Sequence, residues 1–151
     1  MQCFACKSER VEKAATIAEH VFGMVVVCVK TPVMRCANCG EETIEFDDGR
    51  RAELAVAKTL ADYGALEPEA FRFMRKVLEI SAKEFAGFLG VAPETVSRWE
   101  NAASPLDRGA WQLLSTMVDE RFAGEDRTLK RLRRPAPPAT RQPMRLEASA
   151  A

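Results

Sequence analysis

Four of the chain's five cysteines fall in two C-x-x-C pairs, Cys3/Cys6 and Cys36/Cys39, with residues 7–35 between them. Two intervening residues let both thiolates of a pair face one ion, and two such pairs complete a tetrahedral four-sulfur site. Gly40 follows the second pair, where the chain has to turn sharply. Two disulfides would suit a reducing compartment poorly. A thioredoxin-type redox pair would open a helix in a βαβ unit, whereas both pairs here adjoin strand-like sequence. The spacing therefore predicts one structural Zn2+ per protomer on Cys3, Cys6, Cys36 and Cys39. Redox use and another thiophilic metal are the alternatives.

The first 50 residues hold few large apolar side chains, so a unit of this size needs the ion to fold. Within it VVVCVK and ETIEF read as strands, with Cys28 a small buried hydrophobe in the first. His20, the only histidine, reads as a packing or surface residue. No nucleophile, general base or phosphate loop accompanies the cysteines, so no catalytic residue is predicted and the chain does not read as an enzyme.

The longest apolar run, VFGMVVVCV at 21–29, is too short to cross a bilayer and lacks a signal-peptide pattern ahead of it. A soluble, cytoplasmic protein is the expectation. The 22 basic and 22 acidic residues balance, yet residues 123–151 hold seven Lys/Arg against three Asp/Glu. This Pro- and Arg-rich segment has little apolar periodicity after Leu132 and reads as a flexible basic arm, with phosphate contact by Arg131, Arg133 and Arg134 as a second possibility.

Residues 51–122 read as five helices. RRAELAVAKTLADY stops at Gly64, and PEAFRFMRKVLEI opens at Pro68 with Phe71, Met74 and Leu78 on one face. AKEFAGFL lies between a Ser81/Glu84 capping box and Gly90. PETVSRWENA follows after a very short turn, and a last helix carries Trp111, Leu114, Met117 and Val118 at helical spacing. Two short helices joined by a tight glycine turn within a bundle form a helix-turn-helix unit. On a helical wheel Val96 and Trp99 face the bundle, while Glu94, Ser97, Arg98 and Asn101, with Thr95 beside them, form the candidate DNA-binding set. A solvated Glu94–Arg98 ion pair is the plainer alternative.

The stretch LEISAKEFAGFLGVAPETVSRWENA resembles the helix-turn-helix of the Xre/Cro type, and the double C-x-x-C ahead of it resembles the YgiT-type zinc domain. Together, over about residues 1–122, they resemble the MqsA family of type II antitoxins. The resemblance implies a zinc domain over 1–50 that contacts a toxin and a helical domain over 51–122 that dimerises and represses its own operon at a palindrome. It also implies base reading by Glu94 and Arg98, the latter set in S-R-W-E at 97–100. Glu94 departs from the family's amide or small polar residue, and Ala92 replaces its Ser or Thr helix cap.

The expected fold class is therefore α+β, a small zinc-binding β-rich domain followed by a five-helix DNA-binding domain. The expected partners are double-stranded palindromic operator DNA, a second copy of the chain and an RNase-like toxin. A regulator of the same build without a toxin is the alternative.

Overall fold

Alternation of side chains sets the first half of the molecule. In the computed structural model, which describes residues 1–64, 66–136, 143 and 145–148, strands β1 (Val11–Phe22) and β2 (Val25–Cys36) form a long antiparallel hairpin. The register runs from Phe22↔Val25 beside the two-residue turn Gly23–Met24 to Val11↔Cys36 at the far end. A glycine opening a two-residue turn matches the twist of paired strands. Strand β3 (Glu42–Thr43) adds only two residues to the β2 edge, where Arg35 donates to Glu42 at 2.8 Å.

The run ETIEF is thus strand only at its start. Phe46 already belongs to helix α1 (Phe46–Tyr63), whose first turn carries Asp47 and Asp48 against the positive end of the helix dipole. Four more helices follow as expected: α2 (Pro68–Val77), α3 (Ala82–Leu89), α4 (Pro93–Glu100) and α5 (Arg108–Phe122). A sixth, α6 (Arg127–Leu132), falls in the segment read as a flexible arm. Leu129 is buried there, and Glu120 on α5 accepts from the backbone N–H and the hydroxyl of Thr128 at 2.7 and 2.8 Å. The arm reading therefore fails for residues 127–132, because the spacing of Leu129 and Leu132 supplies an apolar edge that α5 covers. Residues 137–142, 144 and 149–151 of that segment lie outside the described residues.

The core is continuous across the expected domain boundary. Phe22 and Val27 from the turn end of the hairpin join Val56, Leu60, Phe71 and Met74 in one buried cluster. Phe22 and Phe73 lie 5.0 Å apart between ring centroids, and His20 packs against both as a half-buried ring. Buried Thr31 and Val33 carry the packing further along β2, so helices cover one face of the hairpin from its turn toward the cysteine end. Among the described residues no helix is long and apolar enough to cross a membrane.

Candidate functional site

At the end of the hairpin opposite its turn the two C-x-x-C pairs fold into near-identical knuckles. In the first, the N–H of Lys7 donates to the carbonyl of Cys3 and the N–H of Cys3 donates to the carbonyl of Ser8, both at 2.9 Å. In the second, Gly40 donates to Cys36 and Cys36 donates to Glu41, again both at 2.9 Å. Each turn closes through a residue in the left-handed region, Gly40 at φ 78° and Lys7 at φ 61°. Glycine adopts that conformation without strain, and lysine does not.

The knuckles bring Cys3, Cys6, Cys36 and Cys39 together, with all four sulfurs within 4.8 Å of one another. Cys3 Sγ lies 3.6 Å from Cys39 Sγ, and Cys6 Sγ lies 3.6 Å from Cys36 Sγ. These distances are far beyond a disulfide bond. A tetrahedral ion with metal–sulfur bonds of about 2.3 Å spaces its sulfurs about 3.8 Å apart, close to what the four thiols present. The cluster can hold a metal ion.

Neighbouring donors prepare the sulfurs for that role. The amide of Asn38 donates to Cys6 Sγ at 3.5 Å and, with the Ser8 backbone, lowers the Cys6 pKa to about 6. Backbone N–H groups of Cys39 and Asn38 lower that of Cys36. At Cys39 the Glu41 N–H favours the thiolate, but Cys6, burial and the other two thiols outweigh it and push the pKa up to about 12. Four thiolates repel in so small a volume, and a divalent cation at their centre removes that repulsion. Cys28, expected to be buried, is exposed: from Val25 to Val33 of β2 the odd-numbered side chains point at the helices and position 28 points away.

The second candidate surface lies on α4. The turn from α3 is Gly90–Ala92, with Gly90 at φ 67° and its N–H returning to Ala86 and Gly87 carbonyls. Ser81 caps α3 by accepting from Glu84 N–H at 3.0 Å. The reciprocal half of the expected capping box is missing, because the Glu84 carboxylate instead accepts from Arg133 at 2.7 and 3.3 Å. Helix α4 has no side-chain cap at Ala92 and starts at Pro93.

Val96 and Trp99 bury the inner face of α4, as the helical wheel predicts. Glu94, Ser97 and Arg98 are exposed, and Thr95 is half-buried at the edge. Asn101 is the C-terminal cap, and its amide donates to the Ser97 carbonyl at 2.9 Å and hydroxyl at 3.3 Å. Among the described residues no ion pair joins Glu94 to Arg98. The outer surface of α4 thus centres on Glu94 and Arg98, with Ser97 and Asn101 engaged with each other.

Two residues absent from the sequence reading fix this helix in place. Arg75 on α2 binds the Glu100 carboxylate through Nε at 2.6 Å and Nη2 at 3.0 Å, and its Nη1 donates to the Ile80 carbonyl at 2.6 Å. The signal was there: Glu100 is four residues after Val96 and one after Trp99, so it lies on the inward face and requires a buried partner. Asn38 and the left-handed Lys7 carried no sequence signal of comparable clarity. Compared with known proteins, the chain matches no family model and no curated protein.

Proposed function

We propose that the protein is a sequence-specific DNA-binding repressor that reads its operator through α4 and holds a structural zinc ion on Cys3, Cys6, Cys36 and Cys39. The observation that carries the DNA reading is the two-faced build of α4. Its inner side is buried and locked by Glu100, while Glu94 and Arg98 stand exposed one turn apart and unpaired with each other. In a helix-turn-helix the N-terminal part of the second helix meets base edges in the major groove. There an arginine can grip guanine O6 and N7, and a carboxylate can accept from cytosine N4. One such unit covers few base pairs, so we assign the protein a homodimer that reads two inverted half-sites about 34 Å apart or a multiple of that.

Zinc is the ion that favours four thiolates in a closed tetrahedron, and the sulfur spacing fits it. The site offers no position for a substrate, so the ion's work is to hold the two knuckles on the hairpin. The resemblance of residues 1–122 to MqsA-type antitoxins adds a toxin as the partner of the hairpin unit. Ile17, Val21, Met24 and Val26 are exposed on the hairpin's outward side and offer apolar area for a protein contact.

Selection of bound sequences from a random duplex library by the full chain tests the DNA reading. It should enrich an inverted repeat, and recovery of no motif would contradict it. Co-expression with the product of an adjacent reading frame tests the antitoxin half. A stable complex that silences a ribonuclease supports it, whereas no complex leaves a regulator without a toxin.

A further inference from the structure

Helix α6 and the two residues after it carry a concentration of charge that the rest of the helical unit lacks. Residues 127–134 include five Lys/Arg and no acid. Lys130, Arg131 and Arg134 are exposed, and no ion pair among the described residues engages them. Three anchors fix the helix: buried Leu129, the Glu120–Thr128 bonds to α5, and the two-bond pair from Arg133 to Glu84. Glu84 belongs to the first turn of α3. The C-terminal end of α6 is therefore tied to the start of the first helix of the helix-turn-helix pair. That first helix crosses the sugar-phosphate backbone when the second enters the groove.

We infer that α6 and the residues just after it form a second DNA contact, a clamp in which Lys130, Arg131 and Arg134 neutralise backbone phosphates beside the half-site read by α4. The inference rests on the DNA reading above and assigns it the phosphate affinity that a chain of balanced charge otherwise lacks. Glu84 orients the clamp indirectly, since it holds Arg133 and touches no phosphate itself. Because phosphate contacts carry no sequence information, α6 adds affinity without adding base preference.

The test uses the full chain, its Lys130→Gln/Arg131→Gln/Arg134→Gln variant, and a chain ending at Ala136. Each is titrated against a selected duplex and a scrambled duplex across a series of salt concentrations, with thermal unfolding as the control for folding. Each lost phosphate contact flattens the dependence of log K on log salt by about 0.9. The triple variant should weaken binding to both duplexes alike and flatten the slope by about 2 to 3 for each bound protomer, about 5 for the dimer. The shortened chain should keep the wild-type slope, because α6 is intact. An unchanged slope in the triple variant, with the parent still preferring the selected duplex, overturns the clamp alone. A slope that falls only on removing residues 137–151 also overturns it, assigning the phosphate contact to those residues. A parent chain that binds neither duplex overturns the DNA reading and the clamp together.

Discussion

Arg75 and Glu100 face each other across the interior with two bonds, 2.6 and 3.0 Å long, between the last turn of α2 and the last residue of α4. Both are buried, and a third bond from Arg75 to the Ile80 carbonyl orients the guanidinium. Removing one partner leaves the other as an uncompensated buried charge. Glu100→Ala should therefore lower unfolding free energy by about 3 to 5 kcal/mol in urea titrations. Joint replacement by Arg75→Met and Glu100→Leu should recover most of that loss, since well-packed apolar groups can stand in for a buried pair. A Glu100→Ala chain as stable as the parent would show that the pair contributes nothing to holding α4.

Metal removal should act locally and not unfold all of residues 1–50 as the sequence suggests, because the hairpin shares the helical core. Phe22 and Val27 sit in the helical core, while the knuckles lie at the opposite end of the hairpin. Chelation or Cys36→Ser should therefore melt residues near Cys3–Arg10 and Arg35–Glu42 and leave Phe22, Val27 and the helices folded. Backbone NMR signals of the holo and chelated protein check this, with elemental analysis expected to find one zinc per chain. Acid should have the same effect, since ligating thiolates must lose their protons to bind and regain them as pH falls. Collapse of the whole chain on chelation would contradict this separation.

Much of this architecture is legible in the sequence, and the failures have physical causes. The helices announce themselves through Pro68, Pro93, Ser81, Gly64 and Gly90, which are local stop and start signals independent of distant contacts. Strand β1 is harder to see, because VEKAATIAEHVF alternates with alanines and acids and presents only Phe22 as a fully buried side chain. Its state is set by pairing with β2. Helix α6 is short and basic, and only packing against α5 distinguishes it from a solvated arm. The four cysteines were legible because their spacing is itself the geometry of the site. Asn38 was not, because its role depends on the second knuckle folding back over Cys6.

Lys7 closes the first knuckle in the conformation that Gly40 uses in the second. A non-glycine residue there carries a strain of about 1 to 2 kcal/mol, partly offset by glycine's larger entropy loss on folding. Lys7→Gly should therefore raise the stability of the metal-bound protein by up to about 1 kcal/mol. Chemical denaturation of the holo protein checks it. A loss of stability would show that Lys7 makes a compensating contact.

Ala92 leaves the start of α4 without a side-chain acceptor, unlike Ser81 and Asp107 at the starts of α3 and α5. Its backbone is already extended, the conformation a cap requires. Ala92→Ser should stabilise the fold by about 0.5 to 1 kcal/mol, read as an upward shift in Tm. No shift would mean that Pro93 already supplies the order a cap would give.

If α4 is the reading helix, Arg98 contacts a base from its outward face. Arg98→Ala, titrated against the selected duplex and duplexes varied at each position, measures it directly. The expected result is a loss of about 1 to 3 kcal/mol for each half-site of the selected duplex, relaxed preference at one position per half-site, and little change on scrambled DNA. An Arg98→Ala protein that keeps full discrimination at every position would contradict the assignment of α4 as the reading helix.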